Sequence, residues 1–237
     1  MTTTTMVVGA SRGLGRGIAE VLAESGTPVI AVARSAIRSE EVQTVVADAT
    51  DATAAGSLID RYRPRNLVLV AGATPLVRPI QRHTWETFSA NWETDVRMTF
   101  HWVREALLTP LAPGGRVVVM SSGAALNGSP LSGGYAGAKA TQRFIAAYAQ
   151  EEANRDQLGI RFTSVLPRIT PLTELGRPAV EAYAARAGVT QEQYVQKMGP
   201  PVTPELAGTA VLELLQKDPE TLAGAYLLTG EGLKELP

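Results

Sequence analysis

The chain has 237 residues, 45% of them apolar and 19% charged, a balance that suits a folded α/β unit with a large core and excludes extended disorder. Its 22 basic and 23 acidic side chains are interspersed and leave a net charge of −1, so neither a nucleic-acid backbone nor an anionic membrane is an expected partner. Cysteine is absent, the opening Met-Thr-Thr-Thr-Thr-Met-Val-Val-Gly lacks a basic, leader-like stretch, and no apolar run reaches the roughly 18 residues of a membrane span, so disulfides, thiolate chemistry and spanning helices are not expected and a cytoplasmic location is.

Met6-Val-Val-Gly9 reads as a short buried strand that runs into Gly9-Ala-Ser-Arg-Gly13-Leu-Gly15-Arg-Gly17. Ile18, Val21 and Leu22 then mark one face of a helix that stops at Ser25-Gly26. Residues 28–33, 42–47 and 66–71 are the next three strands, with a helical face of Leu58, Ile59 and Tyr62 before the last of them. A long helix is predicted from its cap at Thr84 to about Leu108, ahead of Pro110 and the Pro113-Gly-Gly turn. Residues 116–121 form a fifth strand, a helix runs from Tyr135 to about Glu152, and residues 160–166 form a sixth strand. Residues 168–200 lose the alternation and carry Pro171, Pro178, Pro200 and Pro201, a pattern expected of a lid or a specificity wall. Thr203-Pro204-Glu205 opens another helix, and residues 226–228 make a last strand. Near-continuous Val/Ile/Leu strands alternating with helices predict a doubly wound parallel sheet of about seven strands with helices on both faces. With no repeat or linker, residues 1–237 read as a single domain.

Two places in this scheme carry chemistry. Gly9-x-x-x-Gly13-x-Gly15 sits on the first strand-to-helix junction, where glycines admit close backbone approach and the helix start offers amide groups to a phosphate. In a parallel sheet that position indicates a dinucleotide, with Ser11, Arg12 and Leu14 in the same turn. Arg34-Ser35 ends the second strand, where folds that take NAD place an acid; none occurs between Val29 and Ile37. Arg12 and Arg34 are therefore expected to clamp the 2′-phosphate of NADP, which is favoured over NAD.

The second place is Tyr135-Ala-Gly-Ala-Lys139 with Ser122 upstream. On a helix, Tyr135 and Lys139 share a face, and a neighbouring ammonium favours the phenolate, as proton transfer at neutral pH requires. Ser122 lies just past a strand's carboxyl end, where its hydroxyl could hold a carbonyl oxygen in line with the Tyr135 proton. A Tyr-x-x-x-Lys pair alone is more often an aromatic packed beside a solvated lysine; its coincidence with the glycine turn and Ser122 is what lifts it. Other candidates are weaker. His83 and His101 lack the spacing of metal ligands, and Ser122 lacks a Gly-x-Ser-x-Gly elbow. Trp85, Trp92 and Trp102 read as core or subunit packing.

Together these stretches resemble the short-chain dehydrogenase/reductase family over essentially the whole chain: the glycine turn, Asp48 after the third strand, Ala71-Gly72-Ala73 after the fourth, Ser122, Tyr135-x-x-x-Lys139, and Pro167 after the sixth. The resemblance implies a Rossmann-like fold and hydride transfer at the nicotinamide C4. Tyr135 is then the acid/base, Ser122 orients the carbonyl, and Lys139 holds the nicotinamide ribose. It also implies that Asp48 and Ala49 touch adenine, that Ala71 and Gly72 line the cofactor, that Ile169 and Thr170 approach the carboxamide, and that the protein is a homo-oligomer, tetramer or dimer. The chain departs from the family at Val8, Leu69 and Val70, at Asp95, which stands where a catalytic asparagine is usual, and at Pro167-Arg168 in place of Pro-Gly. The expectation is an NADP(H)-dependent oxidoreductase interconverting a small-molecule carbonyl and alcohol. Two alternatives are an NADP(H)-binding protein with weak or no catalysis, motivated by Asp95 and Arg168, and a reductase of an activated C=C bond. Leu172, Leu175, Tyr183, Tyr194 and Met198 are the expected apolar wall of the substrate pocket.

Overall fold

Apolar strand residues alternate between two cores. The computed structural model describes residues 3–37 and 39–237, so Met1 and Thr2, part of the opening read against a leader, lie outside the description. The strands are β1 (Thr5–Val8), β2 (Val29–Ala33), β3 (Val42–Val46), β4 (Asn66–Leu69), β5 (Arg116–Met120), β6 (Arg161–Pro167), β7 (Ala225–Thr229) and β8 (Gly232–Leu236). The helices are α1 (Gly13–Glu24), α2 (Ala52–Tyr62), α3 (Trp85–Asn91), α4 (Arg97–Leu108), α5 (Ala124–Asn127), α6 (Tyr135–Arg155), α7 (Gly176–Ala187), α8 (Gln191–Met198) and α9 (Pro204–Gln216). In β1, Met6 and Val8 face a core shared with Leu58, Ile59, Trp102 and Ala146, whereas Val7 faces one shared with Ile18, Leu22, Val211 and Leu214. Thus α1 and α9 cover one face of the sheet while α2, α4 and α6 cover the other. The two-residue period of a strand is why a continuous apolar run is needed here.

One sheet holds all eight strands in the order β3-β2-β1-β4-β5-β6-β7-β8. The first seven run parallel, and the chain reverses its direction of winding between β1 and β4, which opens a crevice at the strands' carboxyl ends. Sequence reading predicts about seven strands; the eighth, β8, returns antiparallel to β7 through Gly230-Glu231. It is short and half polar along Gly232-Leu-Lys-Glu-Leu236, as edge strands tend to be, which is why it gives little signal.

The predicted 84–108 helix is interrupted. Thr84 caps α3 reciprocally with Thr87, but a π-helical turn, Trp92–Val96, separates α3 from α4. Such a turn inserts a residue into the ladder and re-aims the side chains around it, often at functional sites. The short α5 was also not anticipated. Among the described residues, no helix is long and apolar enough to cross a membrane.

Candidate functional site

Strand order fixes the order of functional groups along the carboxyl edge. Asp48 follows β3, Arg34 follows β2, the glycine turn follows β1, Ala71-Gly72 follow β4, Ser122 follows β5, and Arg168 follows β6. With neighbouring strands about 4.8 Å apart, the step from β2 to β5 is roughly 14 Å, a length suited to an extended dinucleotide. A cavity of about 1010 Å³ runs along this edge. Gly9, Ser11, Arg12, Gly13, Leu14 and Gly15 line it, as do Arg34, Asp48, Ala49, Ala71 and Gly72. So do Asp95, Ser122, Tyr135, Lys139, Ile169 and Thr170. Ser35 is exposed and stands outside the lining.

The glycine turn packs backbone on backbone. A Cβ on Gly9, whose φ is +98°, would stand 2.4 Å from Ala71 N, and one on Gly15 would stand 2.2 Å from Gly9 O. Neither position tolerates a side chain. Arg12 precedes α1 in extended conformation and provides no side-chain cap, so the amides of the first turn are left for an anion in the cavity. These features fit a pyrophosphate.

At the β2–β3 end, the Thr50 backbone N–H and then its hydroxyl, at 2.9 and 2.8 Å, hold the Asp48 carboxyl below the usual range, and Arg34 adds to the effect. Asp48 thus stays an acceptor. Trp102, fully buried on α4, donates from Nε1 to Ala49 O at 2.9 Å and fixes this loop against the core. Arg12, expected with Arg34 at the 2′-phosphate, meets Glu174 Oε2 through Nη1 at 2.8 Å, a bridge from the glycine turn to the segment ahead of α7. Both side chains are largely exposed, so this pair is weak and open to competition from a phosphate.

At the β5 end, Tyr135 is the first residue of α6 and Lys139 lies one turn on. Lys139 Nζ stands 5.6 Å from the Tyr135 ring centroid. The ammonium is not free: it donates to Met120 O at 3.2 Å and pairs with Asp95 Oδ2 at 3.2 Å, the two side chains being 6% and 0% exposed. Asp95, aimed inward by the π-helical turn, also accepts the Ala73 N–H on Oδ1 at 2.8 Å. Its backbone carbonyl accepts Gln142 Nε2 at 3.1 Å. Ser122 Oγ accepts from Ala124 N at 3.2 Å, which leaves its own proton to donate.

Several supporting residues were not singled out from sequence. Ser121 Oγ donates to Lys139 O at 2.7 Å and ties the end of β5 to α6. Asn91 Nδ2 donates to Ala73 O at 2.8 Å. Thr99 accepts from Gln142 Nε2 at 2.6 Å. Asn91, Asp95 and Thr99 recur every four residues, and polar groups on the buried stripe of a helix are the signal that could have found them.

The flank of the cavity comes from residues 168–200. Leu175, Tyr183 and Tyr194 line it, but Leu172 and Met198 do not; Leu172 is 50% exposed. Tyr183 and Tyr194 stack with centroids 6.5 Å apart, joining α7 to α8 as a wall. Burial pushes the Tyr183 phenol up, so it presents a neutral hydroxyl. Val8 and Leu69, two of the departures from the family pattern, are fully buried in the core.

The family model described as short chain dehydrogenase matches residues 3–184. Among curated proteins, the chain is 29% identical to the hydroxynaphthalene reductase-like protein Arp2 of Metarhizium majus over 63% of this chain; the match spans 62% of that protein's length. It is 24% identical to D-beta-hydroxybutyrate dehydrogenase of Rhizobium meliloti across 96% of each chain. A short chain dehydrogenase of Burkholderia cenocepacia solved in complex with NADP is 25% identical, with a TM-score of 0.74, over 95% of this chain and 87% of that one.

Proposed function

The chain belongs to the short chain dehydrogenase family, and on that premise we propose that it is an NADP(H)-dependent oxidoreductase that interconverts a ketone or aldehyde with the matching alcohol. The observation that carries this reading is that one cavity is lined both by the glycine turn and by Ser122, Tyr135 and Lys139. The turn and the start of α1 would hold the pyrophosphate, Asp48 and Ala49 the adenine, and Ile169 and Thr170 the nicotinamide end. Arg34, at the end of β2, would hold the 2′-phosphate, and Arg12 would join it on leaving Glu174. The Burkholderia relative solved with NADP supports this choice of cofactor. A reduced nicotinamide held there would supply the hydride for the carbonyl carbon.

The remaining work belongs to side chains. Ser122 Oγ donates to the carbonyl oxygen and fixes its direction. As charge builds on that oxygen, Tyr135 gives up its phenolic proton to it; in the reverse direction the phenolate takes the alcohol proton. Lys139, with one donor engaged by Met120 and its charge paired with Asp95, keeps a donor for a ribose hydroxyl. The test is NADPH consumption with a panel of carbonyls. Tyr135→Phe is expected to lower kcat by about 10²-fold or more while NADPH still binds; unchanged turnover would overturn the assignment. Identification of an alcohol as product separates this chemistry from reduction of a C=C bond.

A second reading is a cofactor-binding protein with weak catalysis. It is favoured by the buried Lys139–Asp95 pair, which neutralises the charge that would assist Tyr135. Tight NADPH binding without turnover of any carbonyl would select it.

A further inference from the structure

The sheet edge works as a ruler for Arg168. Ser122, after β5, lies between the glycine turn after β1 and Arg168 after β6, so Arg168 stands beyond the reacting end, away from the phosphate cradle. Its backbone is fixed there: Arg168 N donates to Leu228 O at 2.9 Å, and Gly123 N donates to Pro167 O at 2.9 Å. A Cβ on Gly123 would stand 3.7 Å from Arg168 Cα, so the turn that carries Ser122 touches the residue. From here the chain runs back toward the glycine turn. Thr173 Cγ2 would lie 3.7 Å from a Cβ on Gly13, and Glu174 meets Arg12. The cofactor's anionic groups therefore belong to the Thr173–Glu174 end of this segment.

Charge sets Arg168 apart as well. Four cations line the cavity, and three have a carboxylate beside them: Arg12 with Glu174, Lys139 with Asp95, and Arg34 near Asp48. Among the described residues, no carboxylate pairs with Arg168, which is exposed on the cavity wall. A guanidinium is a planar fork matched to a carboxylate, and one placed beside the carbonyl-orienting serine can anchor the acidic end of a bound molecule.

We propose that Arg168 is a specificity residue that holds a carboxylate of the substrate, so that the preferred substrate is an oxo acid or hydroxy acid rather than a neutral ketone or alcohol. The proposal rests on the oxidoreductase reading. The carboxylate is only an anchor; hydride and proton are added to the carbonyl as before.

The test compares 2-oxo, 3-oxo and 4-oxo carboxylates with their primary amides, using the full chain and NADPH. For at least one chain length, kcat/KM for the acid is expected to exceed that for the amide by about tenfold or more, as suits a charge-assisted pair. Arg168→Gln should remove most of that ratio through KM, and Arg168→Lys should restore part of it. Equal rates for acids and amides, or a ratio that survives Arg168→Gln, would overturn the proposal. So would a loss of NADPH affinity in Arg168→Gln matching the loss in kcat/KM, because the guanidinium would then serve the cofactor. Should NADPH bind without turnover of any carbonyl, the oxidoreductase reading fails by itself. Calorimetric titration of acids and amides into the protein–NADPH complex then decides: a preference for acids lost in Arg168→Gln sustains the anchor, and equal binding sinks it.

Discussion

Asp95 joins three parts of the site at once, because one carboxylate oxygen accepts the Ala73 N–H of the loop after β4 while the other faces Lys139 on α6. Removing either partner strands a charge in a nearly dry interior. Asp95→Ala and Lys139→Ala are each expected to cost about 3–5 kcal/mol, read from urea denaturation. Asp95→Asn combined with Lys139→Met removes both charges together and is expected to cost clearly less than the sum of those two losses. Full additivity would show that the pair is not coupled. Tyr135, Ser122 and Lys139 were legible in the sequence because their spacing on a helix and past a strand is local. The engagement of Lys139 was not, since its partner arrives from another helix and is aimed by a π-helical turn that leaves no compositional mark.

The same contrast holds for elements. Caps at Thr84 and Thr203 and the stop at Ser25-Gly26 followed from nearest-neighbour chemistry, and each helix begins or ends where that chemistry places it. The bridge between Arg12 and Glu174 links the glycine turn to a segment far along the chain, which no local pattern reveals. It competes with the phosphate that Arg12 is proposed to bind. Glu174→Gln is therefore expected to tighten NADPH binding by about two- to tenfold, a modest gain that reflects the exposure of the pair. Arg34→Ala should weaken NADPH binding by about tenfold or more and leave NADH affinity nearly unchanged, because only the former carries a 2′-phosphate. Fluorescence titration with both nucleotides measures each. Similar losses for the two would remove Arg34 from the 2′-phosphate site.

At the scale of the whole molecule, Trp102 couples core to site, being fully buried on α4 while its indole N–H supports Ala49. Trp102→Ala is expected to destabilise the fold by about 3–5 kcal/mol and to weaken nucleotide binding as the Asp48–Ala49 loop loosens; thermal melts with and without NADPH measure both. On the outer surface, Phe100, Phe144 and Tyr148 are 51%, 54% and 61% exposed, on α4 and the neighbouring α6. The sequence by itself determined the alternation of strands and helices, the glycine turn and the Ser–Tyr–Lys spacing, because periodicity, caps and close approach are set by residues near one another in the chain. Only the tertiary structure decided the extra edge strand, the inward turn of Asp95, the capture of Arg12 by Glu174 and the place of Arg168 beyond Ser122. Each of those depends on which distant segments the sheet order brings side by side.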